Sequence, residues 1–299
     1  MGTFIVSNKS SFLTLSSSTN PTPTYQHIKG VPAYKFITTT TRFLLPSLSS
    51  SSYIKNKTTV TMATATGFPE VLPPILNSTS DQPPLFDGTT RLYISFICPY
   101  AQRAWITRNC KGLQEKIKLV PIDLQNRPAW YKEKVYPPNK VPSLEHNNEI
   151  KGESLDVIKY LDQHFEGPSL YPDDPSKREF AEELLSYTET FNTTVTTSFK
   201  EDAETQAGAP FDYLEGALSK FNNGPFFLGQ FSLVDIAYAP FIERFQQFLF
   251  DFKKYDITEG RPKLAAWIEG INKLEGYKQT KRDPQELAEI YKKRFLTRV

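Results

Sequence analysis

Arg91-Leu-Tyr-Ile-Ser-Phe-Ile-Cys98-Pro-Tyr100-Ala-Gln-Arg103-Ala-Trp-Ile-Thr-Arg-Asn-Cys110 is the stretch that decides the fold of this chain. Its first part, Arg91 to Ile97, is apolar and rich in β-branched and aromatic residues, the composition of a buried strand. Pro99 lacks an amide proton, which costs nothing in the first turn of a helix, and Ala101, Ala104, Trp105 and Ile106 then recur at helical spacing. Cys98 thus stands where a strand ends and a helix begins. The first turn of a helix offers unpaired N–H groups and a partial positive charge, and both favour thiolate over thiol. The position is expected to lower the pKa of Cys98 and make it a nucleophile.

The thiol is single. Dithiol redox proteins carry Cys-x-x-Cys, in which the second cysteine resolves the mixed disulfide formed by the first. Here the fourth position is Ala101. Cys110 lies about 18 Å further along the helix axis at about 1.5 Å per residue, beyond the Cα separation that a disulfide tolerates. It ends an apolar helical face and is expected to be buried and inert. A lone reactive thiol needs an outside thiol to resolve it, and the abundant soluble one is glutathione.

The chain has 299 residues, enough for one or two domains with a substantial core. Its two cysteines exclude a disulfide framework, and their spacing suits no structural zinc site. His27, His146 and His164 are scattered, so neither a metal site nor a Cys/His unit is expected. No apolar run approaches a membrane span.

No Asp or Glu precedes Glu70, and the stretch up to Val60 is crowded with Ser and Thr. Its only charges are Lys9, Lys29, Lys35, Arg42, Lys55 and Lys57. An acid-free, hydroxyl-rich, mildly basic leader without a compact apolar core has the composition of an organelle transit peptide. Residues 1–62 are assigned to it, with the plastid stroma as destination. Met62 could start a cytosolic form of the same body. Without the six leader cations the 35 basic residues fall to 29 against 33 acidic, a net charge of −4. That balance argues against nucleic acid and anionic membranes as partners. Residues 63–89, rich in Pro, Ser and Thr, read as a linker.

Residues 90–166 read as a βαβ unit followed by ββα. The second strand is Lys116 to Asp123. After a short helical or irregular piece at Arg127 to Lys132 come a strand from Val141 to Glu145, a turn at His146-Asn-Asn148 and a return strand. A helix opens at Glu153-Ser154. This order is the thioredoxin-like plan, in which a proline at the position of Pro142 is cis. It would leave the backbone of Val141 free to pair with a peptide beside Cys98. A carboxylate at Glu153 can take an ammonium, and the hydroxyl of Ser154 with free N–H groups can take a carboxylate; together they suit the two charged ends of an α-amino acid.

Cys98-Pro99-Tyr100, Val141-Pro142-Ser143-Leu144 and Glu153-Ser154 together resemble the cysteine-type soluble glutathione transferases, the omega and lambda classes. Phe96-Ile-Cys-Pro-Tyr-Ala-Gln-Arg103 and the leader look most like the plant lambda class. The resemblance spans roughly residues 85–299. It implies an α/β thioredoxin-like N-terminal domain with an all-α C-terminal domain, and glutathione as co-substrate without a metal. It also implies a mixed disulfide at Cys98, backbone pairing at Val141 beside Pro142, and a γ-glutamyl end held by Glu153 and Ser154. Arg127 or Lys140 would hold the glycine carboxylate. Conjugating members of the family use a Ser or Tyr hydroxyl where Cys98 stands, so thiol transfer replaces conjugation as the expected activity. Substrates would be glutathionylated small molecules or mixed disulfides. The alternatives are a non-catalytic carrier of flavonoid-like aromatic ligands and a membrane-inserting relative of the chloride intracellular channel type, which the acidic body argues against. The cysteine-type plant members are mostly monomers, and a monomer is expected.

Residues 173–299 read as helices. Pro172-Asp-Asp-Pro175 is a linker, and helices are expected from Lys177 to about Phe199 and from Pro210 to Phe221. A further helix should open at Ser232 with a capping box to Asp235 and a staple of Phe231 on Ile236. Two more are expected from Pro262 to about Leu274 and from Pro284 to Phe295. Asp235 reads as structural, and Phe241, Phe245 and Phe248 as core.

Overall fold

The computed structural model describes residues 70–199 and 203–296. The leader therefore lies outside the described residues. The N-terminal half opens with β1 (Thr90–Ile94), α1 (Pro99–Cys110) and β2 (Ile117–Pro121). A single π-helical turn at Tyr131–Val135 precedes β3 (Ser143–His146), β4 (Glu149–Lys151) and α2 (Ser154–His164). The sheet order is β2-β1-β3-β4. β1 runs parallel to β2 with Leu92 opposite Leu119, and antiparallel to β3 with Leu92 opposite Leu144. The tight β3–β4 turn places Asn147 and Asn148 at φ 52° and 60°, a left-handed conformation that asparagine tolerates. This is the expected βαβ-ββα order.

The C-terminal half is helical: α3 (Pro175–Ser198), α4 (Ala203–Leu218), α5 (Leu233–Lys253), α6 (Pro262–Asn272), α7 (Glu275–Lys278) and α8 (Pro284–Phe295). Asp174 caps α3 by accepting from the Lys177 N–H at 2.9 Å. At the start of α5 the expected capping box is present. Asp235 Oδ2 accepts from the Ser232 N–H and hydroxyl, both at 2.8 Å. Asp235 Oδ1 also accepts from Trp267 Nε1 at 2.8 Å, which ties α6 to α5. The core is aromatic: Phe191 packs against Phe211, Tyr238 and Phe245, and Phe227 against Trp267. Among the described residues no helix is long and apolar enough to cross a membrane.

Two expectations change. Pro210 does not start α4 but lies inside it, because the helix extends back to Ala203. Residues 70–89, read as a linker, are fastened to the sheet domain instead. Glu70 makes two 2.7 Å bonds to the fully buried Arg108 guanidinium. Leu76 bridges Ile122 in parallel, its N–H donating to the Pro121 carbonyl at 2.8 Å, and so covers the β2 edge. The Phe86 N–H donates to Glu145 Oε1 at 2.7 Å.

Candidate active site

α1 joins the two halves, and the site grows from its first turn. Cys98 is the N-cap of α1, with Pro99 in the first helical position. Its carbonyl accepts from the Gln102 N–H at 3.0 Å, and its Sγ lies 3.8 Å from the Val141 carbonyl oxygen. The Val141-Pro142 bond is cis. Chain positions 43 residues apart thus meet at the thiol. The loop carrying Val141 is held from below. Tyr131 Oη donates to the Lys140 carbonyl at 2.6 Å and lies 2.9 Å from Ser143 Oγ. Among the described residues the Val141 N–H meets no backbone acceptor.

Burial pushes the Cys98 thiol up, the reverse of what the helix start alone predicts. The N–H groups of Ala101 and Tyr100 and the charges of Arg244 and Arg103 act the other way and offset only part of it. The thiol also has an acceptor in the Val141 carbonyl, which favours the protonated form. Cys110 is half-buried, its thiol pushed up to about 12 by burial alone. Gly276 sits so close that a Cβ there would meet Cys110 Sγ at 2.7 Å. Cys110 is a packed thiol.

Ser154 opens α2 and is buried, its Oγ accepting from Arg103 Nη1 at 3.0 Å. Glu153, the preceding N-cap, adopts φ 59° and ψ 119°, a positive-φ backbone that usually belongs to glycine. Its carboxylate lies 3.7 Å from Lys140 Nζ, both side chains largely exposed. Lys140, Val141, Pro142, Glu153 and Ser154 therefore gather on the Cys98 side of the sheet domain. Arg127 is engaged elsewhere: its Nε donates to the Leu124 carbonyl at 3.2 Å and its Nη1 to the Asn139 carbonyl.

Two buried arginines complete the surroundings, and neither was singled out from sequence. Arg103, 2% exposed, donates from Nε to the Ala237 carbonyl at 2.8 Å, and its guanidinium lies over the rings of Phe241 and Tyr100. Arg244 donates to Gln102 Oε1 at 2.7 Å and to the Ile97 carbonyl at 3.3 Å, steadying the turn before Cys98 from α5. The available signal was spacing: Arg103 lies five residues beyond Cys98, among the apolar positions Ala101, Ala104, Trp105 and Ile106, where a charge needs a buried partner.

Residues 92–169 match the family Glutathione S-transferase, N-terminal domain, and residues 197–270 match Glutathione S-transferase, C-terminal domain. Glutathione S-transferase L3 of Arabidopsis thaliana is 66% identical over 235 residues, covering 79% of this chain and 100% of that protein. The chain belongs to the glutathione S-transferases. Glutathione S-transferase L2, chloroplastic, of the same plant is 63% identical over 221 residues, 74% of this chain and 76% of its own. These relatives carry the class letter of the plant lambda class, to which this cysteine-type glutathione S-transferase belongs. The omega class is more distant. The crystal structure of glutathione transferase Omega 2C from Trametes versicolor superposes with a TM-score of 0.58 at 26% identity, covering 70% of this chain and 100% of that one. The expected fold, a thioredoxin-like domain with a helical domain, is the one observed.

Proposed function

We propose that this glutathione S-transferase carries a glutathionyl group on Cys98 and removes it from small-molecule mixed disulfides or conjugates. The observation that carries the reading is a lone cysteine at a helix start, 3.8 Å from the Val141 carbonyl and flanked by Arg103 and Arg244. The Cys98 thiolate attacks the glutathionyl sulfur and a Cys98–glutathione disulfide forms. From a mixed disulfide the partner sulfur leaves with the electron pair as thiolate; from a conjugate the partner carbon leaves with it and then takes a proton. Free glutathione, as thiolate, then attacks the adduct, giving oxidised glutathione and regenerating the Cys98 thiolate. The transferred glutathionyl sulfur and the free glutathione sulfur end as one disulfide, so the electron pair that the leaving group carries away comes from glutathione alone.

Glutathione binding itself prepares the nucleophile. A peptide N–H that pairs with the Val141 carbonyl takes away the acceptor that holds Cys98 as a thiol. The Tyr100 and Ala101 N–H groups then face a thiol with no competing acceptor, and thiolate is favoured. Ser154 contributes in a similar way: its Oγ already accepts from Arg103, so its hydroxyl proton is free to donate to the γ-glutamyl carboxylate. Glu153 takes the adjoining ammonium. For the glycine carboxylate Lys140 is the better candidate, because the Arg127 guanidinium is spent on two carbonyls. The mature protein acts in plastids, a reading supported by the leader composition and by the relative named chloroplastic.

Cys98→Ser tests the reading. It should abolish transfer, since an unactivated hydroxyl does not exchange with disulfides, and should retain the fold. Incubation with oxidised glutathione should place one adduct on Cys98 by mass spectrometry. A Ser variant with full activity, or an adduct confined to Cys110, would overturn the assignment.

A further inference from the structure

Gly152 alone separates β4 from Glu153, the N-cap of α2. It does not adopt a positive φ, so its backbone does not call for glycine. What glycine supplies here is space. A Cβ at this position would stand 1.8 Å from the Tyr136 hydroxyl oxygen, 2.2 Å from Cζ and 2.8 Å from Cε2. The tip of the Tyr136 ring thus occupies the place of the missing side chain. Tyr136 follows the π-helical turn and is fixed on both sides: its N–H donates to the Tyr131 carbonyl at 2.8 Å, and its carbonyl accepts from the Asn139 N–H at 2.8 Å. The same loop continues into Lys140 and Val141. The ring therefore reaches from the loop that flanks Cys98 to the turn that opens α2, and it joins the two sides of the glutathione site.

The residue that this contact governs is Glu153. Its φ of 59° is a conformation that a non-glycine residue keeps only where its surroundings impose it. Its side chain is 66% exposed, so packing of its own does not fix where the carboxylate points. Lys140 Nζ, 3.7 Å away, is also largely exposed and holds it weakly. Direction must come from the backbone, and Tyr136 bears on that backbone one residue earlier. Burial and the Glu153 charge both push the Tyr136 hydroxyl up, so the ring tip is neutral and close to the carboxylate. We propose that Tyr136, seated on Gly152, is a positioning residue that holds Glu153 where its carboxylate meets the γ-glutamyl ammonium. The proposal rests on the reading of Glu153 as the partner of that ammonium.

Calorimetry on the full-length protein tests it with two ligands, S-methylglutathione and the same compound lacking the α-amino group. Neither thioether can form a disulfide with Cys98. The unmodified protein should bind S-methylglutathione about fivefold more tightly than the desamino compound, the scale of one charged contact on an exposed carboxylate. Tyr136→Ala should bring the two dissociation constants within about twofold of each other by weakening only the amino compound. Gly152→Ala should do the same, because its Cβ drives the ring off its seat. In the Tyr136→Ala background that Cβ meets no ring, so Gly152→Ala should cost nothing further. Tyr136→Leu serves if Tyr136→Ala does not fold, and failure of both would mark the ring as a structural support and overturn the proposal. So would a full preference kept by either single variant, equal weakening of both ligands, or losses that add in the double variant. An unmodified protein that binds the two compounds alike defeats the Glu153 reading and the proposal with it. A preference in the unmodified protein that the variants keep defeats the positioning role alone.

Discussion

Arg103 and Ser154 show how a single contact can serve two sites at once. The guanidinium is buried, bonded to Ser154 at 3.0 Å and to Ala237 at 2.8 Å, and its charge favours the Cys98 thiolate. Arg103 is a positioning residue: it fixes the acceptor side of the Ser154 hydroxyl and leaves the proton for the ligand. Ser154→Ala should weaken glutathione binding by about 1–2 kcal/mol. Arg103→Met should weaken it comparably, and the double variant should lose little more, because both remove one linked contact. Calorimetric titration of the four proteins closes the cycle, and additive losses would sink the linkage. A pH readout separates this from mere loss of structure. Burial already holds the Cys98 thiol above its ordinary value, so removing a nearby cation should move the midpoint of its alkylation by iodoacetamide higher still. An unchanged midpoint in a folded Arg103→Met protein would contradict the electrostatic part. Among the described residues His146 and His164 both meet Tyr160 rather than Cys98, and a pH profile should show no step attributable to imidazole.

Among the elements, α5 is the one on which both halves depend. Asp235 at its start accepts from the Ser232 N–H and hydroxyl, the Phe227 N–H and the Trp267 indole. Asp235→Ala orphans these donors and should cost about 3–5 kcal/mol in urea unfolding; a cost below about 1 kcal/mol would show that the helix start does not need the carboxylate. Burial pushes the Asp235 carboxyl up to about 6 from 3.8. A raised carboxyl means that the folded state holds the proton more tightly. The stability contributed by that proton is full below about pH 4 and lost as the pH rises through about 6. The deficit of Asp235→Ala relative to the unmodified protein should therefore shrink by about 1 kcal/mol between pH 5 and pH 7.5. A deficit that grows over that range would reverse the sign. The segment before β1 illustrates the same scale: Pro, Ser and Thr suggest a linker, yet Glu70 on Arg108 and Leu76 on the β2 edge bind it to the sheet domain.

For the whole molecule, α1 carries many of the contacts between the halves, and Lys159 of α2 adds a pair to Glu182 of α3 at 2.7 Å. Gln102 reaches Thr280 Oγ1 and Glu243, both at 3.1 Å, and Arg103 and Arg244 cross to α5 and back. The thiol is set by groups from both halves, so the helical half alone or the sheet half alone would not reproduce it. The leader is predicted to act independently of this body. A reporter fused to residues 1–65 should enter plastids, and the protein started at Met62 should stay cytosolic; a reporter left in the cytosol would end the transit assignment. The body is predicted to be a monomer, because an open approach to Cys98 suits a bulky glutathionylated substrate. Light scattering on protein lacking the leader should return the mass of one chain, and twice that mass would refute it.

The sequence by itself determined the order of elements and the place of the nucleophile. Strand-like composition up to Ile97, a proline at 99 and helical spacing beyond it are local properties, and local backbone preferences decide them. The same holds for the asparagine turn at 147–148 and the box at Ser232 and Asp235. Pro210 was misplaced as a helix start because a proline marks a first turn only when the residues before it are not themselves helical, and packing settles that. Tertiary structure alone decided the state of the thiol. The helix start argues for thiolate, but desolvation depends on how densely remote segments close around Cys98, and here it outweighs the N–H groups and both arginines. It alone also decided that Arg127 would be spent on backbone carbonyls while the charge of Arg103 came to act on the thiol. Burial and long-range contact belong to the folded chain as a whole, and no window of sequence contains them.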